Sequence, residues 1–149
     1  GAGFDLRLGE IYKITGAAFL GETHRKTADI KLVREYKFGK TTTIKIKPGD
    51  FFLGTTIESV NTPKNLTIDF KPRTTTFRSG LFLRTGNVAP GYCGKLTFAI
   101  KNEGPITVEV EMGARIVHAQ FKEVKGGGSL YRGQWQGGRV SATKKEKQV

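Results

Sequence analysis

Apolar and polar residues alternate along most of this chain, and that alternation limits its possible folds more than any other feature. Phe4, Leu6 and Leu8 alternate with Asp5 and Arg7, and Ile44 and Ile46 with Thr43, Lys45 and Lys47. Leu96, Phe98 and Ile100 alternate with Lys95, Thr97, Ala99 and Lys101, and Ile106, Val108 and Val110 with Thr107, Glu109 and Glu111. A period of two sends successive side chains to opposite faces of a pleated backbone, so each stretch predicts a strand buried on one side. Turn-forming groups separate the stretches: Pro48-Gly49-Asp50, Thr62-Pro63-Lys64-Asn65, Ala89-Pro90-Gly91 and Asn102-Glu103-Gly104-Pro105. No helical period persists beyond two turns. The one short helix expected lies in "RTTTFRSG", just after Pro72. Many short strands at regular spacing predict an all-β sandwich, jelly roll or barrel. With 149 residues, 37% of them hydrophobic, the chain suits one domain around a single core.

Composition removes several function classes. No apolar run reaches about 18 residues, so no membrane span is expected. No secretory pattern opens the chain, which begins already strand-like, so residues upstream of Gly1 are expected to be missing. Cys93 is the only cysteine, which excludes an intrachain disulfide and a zinc site built on thiolates. Neither His24 nor His118 is near it in sequence to serve as its base, so Cys93 reads as a small, partly buried apolar residue. A reducing compartment, cytoplasmic or virus-associated, fits this cysteine usage. The formal net charge is +12. Lys37, Lys40, Lys45, Lys47, Lys64, Lys71, Lys95 and Lys101 are spread along the chain, and the tail reads "SATKKEKQV". Without an aromatic–basic stripe, these read as a lysine-rich surface, and nucleic acid is not the expected partner.

Composition changes at "KGGGSLYRGQWQGGRV". Six glycines here predict a flexible arm over residues 126–149, following a β domain over residues 1–125. Tyr131 and Trp135 are large residues that a solvated tail does not need, so the arm is expected to dock on something.

Six segments, in order, resemble the trimeric dUTPase and dCTP deaminase superfamily, and the dCTP deaminase branch of archaeal type more closely: "GAGFDLRLG", "PGDFFLGTTIESVNTPKNL", "PRTTTFRSGL", "VAPGYCGKLTFAIKN", "MGARIVHAQF" and "YRGQWQGGRV". The resemblance implies a distorted jelly-roll, β-clip-like sandwich with at most one short helix. It also implies a homotrimer with nucleotide sites at subunit interfaces. Arg73, Thr74, Thr75 and Arg78 fall in the family's phosphate segment. Guanidinium forks and hydroxyls suit phosphate oxygens, and the amides opening a short helix would add to anion affinity. Tyr92 falls where a ring lies under the deoxyribose. The backbone of Thr97 and Phe98 falls where the pyrimidine edge is read. Tyr131, Gln134 and Trp135 fall in the arm that closes over the nucleotide, Trp135 keeping a stacking surface and Gln134 replacing the usual lysine. Gly138 stands for the arm's last glutamine, and His118 for the glutamine of the fourth motif. The implied ligand is dUTP or dCTP, with Mg2+ accompanying the triphosphate, and Asp5 is the acid expected to reach that metal through water.

Two departures bear on chemistry. A dUTPase needs a carboxylate to activate water for attack on the α-phosphate, and that position is Ala89. A dCTP deaminase needs a glutamate to shuttle protons at the pyrimidine, and that position is Ala99. Losing a general base typically costs about two to four orders of magnitude, while phosphate positioning survives. The expected activity is dUTP hydrolysis to dUMP and pyrophosphate, or dCTP deamination. The alternative is a non-catalytic nucleotide-binding trimer acting as sensor, regulator or scaffold. Asp69, close upstream of Arg73, reads as a strand-surface charge.

Overall fold

The computed structural model describes residues 3–148; Gly1 and Ala2 of the first motif and Val149 of the arm lie outside the described residues. Thirteen strands and one helix follow in order: β1 (Gly3–Thr15), β2 (Phe19–Leu20), β3 (His24–Lys26), β4 (Asp29–Glu35), β5 (Thr43–Ile46), β6 (Phe51–Asn61), β7 (Leu66–Pro72), α1 (Thr74–Arg78), β8 (Leu81–Arg84), β9 (Asn87–Val88), β10 (Cys93–Asn102), β11 (Val108–Glu111), β12 (Arg115–Glu123) and β13 (Glu146–Lys147). The fold is all-β and jelly-roll-like, with one five-residue helix where "RTTTFRSG" predicts it.

β1 is the hinge of the architecture. Its first residues pair with β12, which continues to β7 and β9; its later residues pair with β4 on one edge and β6 on the other, and β6 continues to β10 and β8. The register slips between Leu6 and Arg7 and again between Leu8 and Glu10, where the strand changes partners. Such bulges increase local twist and bend a strand from one layer into another. Gly9 sits at the second slip, where a Cβ would lie 2.9 Å from the backbone of Thr56 and Ile57. Only glycine admits so close an approach.

The two layers close on the alternating apolar residues. Leu6, Leu8, Ile46, Leu96, Phe98, Ile100 and Val110 are buried as the alternation predicts. Phe70 of β7 meets Phe98 of β10 edge to face, with centroids 6.5 Å apart, tying one layer to the other. Alternation fails at two ends. Phe4 is 69% exposed and packs edge-on against Phe121 on the outer surface. Ile106 is 59% exposed and precedes β11, which begins only at Val108. Both lie near the ends of their alternating stretches, Phe4 of β1 still paired with Ala119 of β12 and Ile106 outside any strand. The turn from Asn102 is held by a buried amide: Asn102 donates to the carbonyls of Ile46 and Ile106 and accepts from the Gly104 amide.

Candidate functional site

The β9–β10 turn, the face of β6 and the arm enclose a cavity of about 580 Å3. Ala89, Tyr92 and Thr97 line it from the hairpin, Phe51 and Leu53 from β6, and Tyr131, Trp135 and Arg139 from the arm. Each of these is placed by local chemistry. Pro90 and Gly91, with Gly91 at φ 80°, make the turn, and Gly91 N–H donates to the Thr62 carbonyl at 2.7 Å. Tyr92 is 8% exposed and its hydroxyl donates to the Lys95 carbonyl at 2.6 Å, so the ring is locked within the hairpin. Burial, with the Tyr131 phenol beside it, pushes the Tyr92 phenol above its usual range.

Along β10, Thr97 and Ala99 share one face, while Phe98 turns its side chain into the core. Ala99 lies opposite Leu53 in register, and Leu53 lines the cavity. The far edge of β10 pairs with β8 only from Ala99 to Asn102. Among the described residues the stretch containing Thr97 and Phe98 therefore has no strand paired on that side.

The arm docks on this hairpin within one chain. Tyr131 N–H donates to the Pro90 carbonyl, and Gly137 N–H to that of Cys93. The Gln136 amide accepts from Cys93 N–H at 2.8 Å and donates to the Gly91 carbonyl at 2.9 Å. Tyr131 meets Tyr92 edge-on at 5.6 Å, and its hydroxyl accepts from the Trp135 amide. Beyond the cavity, Arg139 pairs with Glu146 at 2.6 Å, and β13 adds to β3. Gln134 donates to the same Glu146 and is not among the cavity-lining residues. Cys93 is exposed, correcting the expectation of a partly buried residue: it opens β10 where its backbone, not its thiol, meets the arm.

The segment expected to hold phosphate, residues 73–78, lies outside this cavity. Arg73 precedes α1, with its Nε 3.1 Å from Asp5 Oδ2 and Nη1 3.5 Å from the Arg115 carbonyl. Asp5 Oδ1 lies 2.9 Å from His118 Nδ1. The His118 hydrogen bond, and then the Arg73 and Arg115 charges, hold the Asp5 carboxyl below the usual carboxylate range. Thr74, Thr75 and Arg78 are exposed, whereas Thr76 is buried and bonded to the Ile116 carbonyl. Asp69 is bound by Lys122, consistent with a surface charge. Among the described residues no three His, Cys, Asp or Glu side chains gather as a metal site.

The structure thus brings Ala89, Tyr92, Thr97, Tyr131 and Trp135 to one cavity and leaves Arg73, Thr74, Thr75 and Arg78 outside it. Sequence reasoning missed Arg139, among the described residues the one charged side chain lining the cavity; its place in "QGGRV" of the arm is the signal that could have found it. It also missed Glu10, whose carboxylate accepts from Thr55 at 2.7 Å and lies 3.6 Å from Lys95 Nζ. Thr55 is the register partner of both Glu10 and Thr97.

Comparison with known proteins identifies the family and the fold. A sequence profile of the dCTP deaminase-like family matches residues 1–124. The chain is 34% identical over 122 residues to the dCTP deaminase, dUMP-forming, of Dictyoglomus turgidum, covering 78% of this chain and 62% of the relative. It is 27% identical over 135 residues to the probable deoxyuridine 5'-triphosphate nucleotidohydrolase of Methanothermobacter thermautotrophicus, covering 91% of this chain and 85% of the relative. Its fold superposes with a TM-score of 0.61 on the crystal structure of 2'-deoxycytidine 5'-triphosphate deaminase from Agrobacterium tumefaciens, at 19% identity over 80% of this chain and 37% of that one.

Proposed function

This chain belongs to the dCTP deaminase-like family, and from that premise we propose that it binds dUTP or dCTP and holds the nucleotide without ordinary turnover. The observation that carries the reading is the cavity itself: an aromatic, arm-covered space of nucleotide size whose lining, among the described residues, includes no aspartate, glutamate or histidine. Tyr92 and Trp135 offer flat faces to the sugar and base, and the open edge of β10 at Thr97 and Phe98 offers backbone groups to the pyrimidine. Ala89 and Ala99 supply no proton acceptor where the chemistry of hydrolysis or deamination requires one.

Arg73, Thr74, Thr75 and Arg78 take the phosphates. Because they stand outside the cavity of their own chain, the complete site forms between chains of a homotrimer, one contributing the hairpin and another the phosphate segment. In the same reading residues 1–125 form the nucleotide domain and residues 126–149 the closing arm, working in the cytoplasm. Both Asp5 oxygens already hold His118 and Arg73. The donor set therefore suits a magnesium ion carried by the triphosphate and reached from Asp5 through water. Such an ion would neutralise phosphate charge; binding and orienting the nucleotide would fall to the side chains named.

The test is calorimetry with dUTP and with dCTP in magnesium buffer, run alongside chromatographic assay for dUMP, dUTP and pyrophosphate. Saturable binding with product formation about two to four orders of magnitude below an ordinary enzyme supports the reading. Turnover near one per second overturns it. That second outcome has a specific candidate base in Glu10, bonded to Thr55 and thereby adjacent to cavity-lining Thr97; Glu10→Gln would then abolish the activity.

A further inference from the structure

The described residues form a second concavity, of about 520 Å3, which shares no lining residue with the cavity beneath the arm. It lies where the end of β1, β4, β5 and the start of β6 meet. Its charge balance is lopsided. Lys13, Arg34, Lys45 and Lys47 line it against a single carboxylate, Asp50, which accepts the Lys47 backbone N–H at 2.8 Å. Neighbouring charges of both signs stand beside it, and Glu111 of β11 lies opposite Thr43. Lys31 lies opposite Lys13 in the β1–β4 register and adds to the excess. Glu109 lies opposite Lys45 across β5 and β11 and accepts the Thr43 hydroxyl at 2.7 Å.

Among the described residues six cations hold a carboxylate, Arg7, Lys37, Arg73, Lys95, Lys122 and Arg139, while many others on this basic chain stand unpaired. Among the described residues none of the four concavity cations holds one. Like charges crowded into a recess with apolar walls focus a positive potential that a bound anion relieves. Ile44 and Phe52, both buried, supply such walls. Arg34 is already oriented, with Nη1 donating to the Val33 carbonyl at 2.9 Å and Nε to that of Thr43 at 3.4 Å. Its remaining donors can meet phosphate oxygens without the entropy of ordering a free side chain.

The shape selects the kind of anion. The volume lies in the range of small-molecule sites, roughly 300–1,000 Å3. Phe52 is 4% exposed and offers no face on which a base of single-stranded nucleic acid could stack. We propose that this concavity is a second anion site, separate from the deoxynucleotide site, that takes the oligophosphate group of a small phosphorylated molecule.

The probe is inorganic triphosphate, titrated into the full chain at near-physiological salt and followed by calorimetry and by amide NMR. The expected result is movement of the resonances of residues 13, 34, 45 and 47 with saturable binding. Lys45→Gln/Lys47→Gln should weaken that binding tenfold or more, while Lys45→Arg/Lys47→Arg retains it. Arg73→Ala/Arg78→Ala should leave the shifts at residues 13, 34, 45 and 47 in place. Affinity unchanged by the glutamine pair overturns the proposal. So do wild-type shifts confined to residues 73–78, a result that stands even if a variant fails to fold. Tighter, Lys45- and Lys47-dependent binding of a single-stranded DNA oligomer that displaces triphosphate also overturns it, and assigns the patch to a nucleic-acid backbone.

Discussion

Ala89 and Ala99 carry the chemical question at the scale of single residues. Ala89 lines the cavity beside Tyr92, and Ala99 faces the same side of β10 as Thr97, opposite Leu53. Ala89→Asp should raise dUTP hydrolysis by one order of magnitude or more, by restoring a water-orienting acid next to the sugar platform. Ala99→Glu should act on dCTP, by placing a proton shuttle beside the pyrimidine. Product analysis on both nucleotides checks this, and equal effects on both substrates would show a general change in stability instead. Asp5 makes a separate prediction. Its folded pKa is depressed, first by the His118 hydrogen bond and then by Arg73. A depressed carboxyl stabilises the fold above the unfolded value of about 3.9, and that contribution is lost as pH falls through the lower folded value. The unfolding midpoint of the wild type should therefore exceed that of Asp5→Asn at neutral pH. The gap should narrow in scans from about pH 5 down to about pH 2.5; a gap independent of pH would remove the ionised carboxylate from the explanation.

At the scale of elements, the arm and the β10 hairpin act as one unit. Gly94 has φ 141°, and a Cβ there would lie 2.4 Å from the Gly138 amide nitrogen. Gly94→Ala should push the arm off the hairpin while leaving the β core folded. Gln136→Ala removes two hydrogen bonds to the hairpin, each worth roughly 0.5–1.5 kcal/mol, and should loosen the same contact more mildly. Trp135 is the single tryptophan, so its emission reports docking alone. Both variants should shift that emission to the red, Gly94→Ala further, and should speed proteolysis after residue 125. Unchanged emission in both would mean that the aromatic contacts of Tyr131 and Trp135 hold the arm without those backbone bonds.

At the scale of the whole molecule, the cavity and the segment of residues 73–78 stand apart on one chain, and the proposed site needs both. The chain's outer surface also exposes Phe4, Phe77 and Phe82, each by 47% or more. Exposed apolar side chains that gather in a patch mark surfaces that bury on association; Phe77 lies within the segment of residues 73–78, and Phe82 follows it on β8. Sedimentation equilibrium at micromolar concentration should return three times the 16.4 kDa chain mass. A monomer at that concentration would leave the phosphate segment and the cavity apart and count against the shared site.

Alternation is a property of residues two apart, so it was legible in sequence at four stretches, and with the turn signals it marked an all-β fold and one short helix after Pro72. The ordered motifs of the sequence also determined the family. What the strands pair with is settled over longer separations. The contact of Asp5 with His118 spans 113 positions, and that of Thr27 with Ser141 spans 114. Only the tertiary structure decided that Phe4 faces outward, that Cys93 is exposed, that Arg139 enters the cavity, and that Glu10 reaches Thr55. Lysines that look evenly scattered in sequence meet Lys13 and Arg34 in one recess for the same reason: adjacent strands bring together residues whose separation along the chain carries no periodic signal.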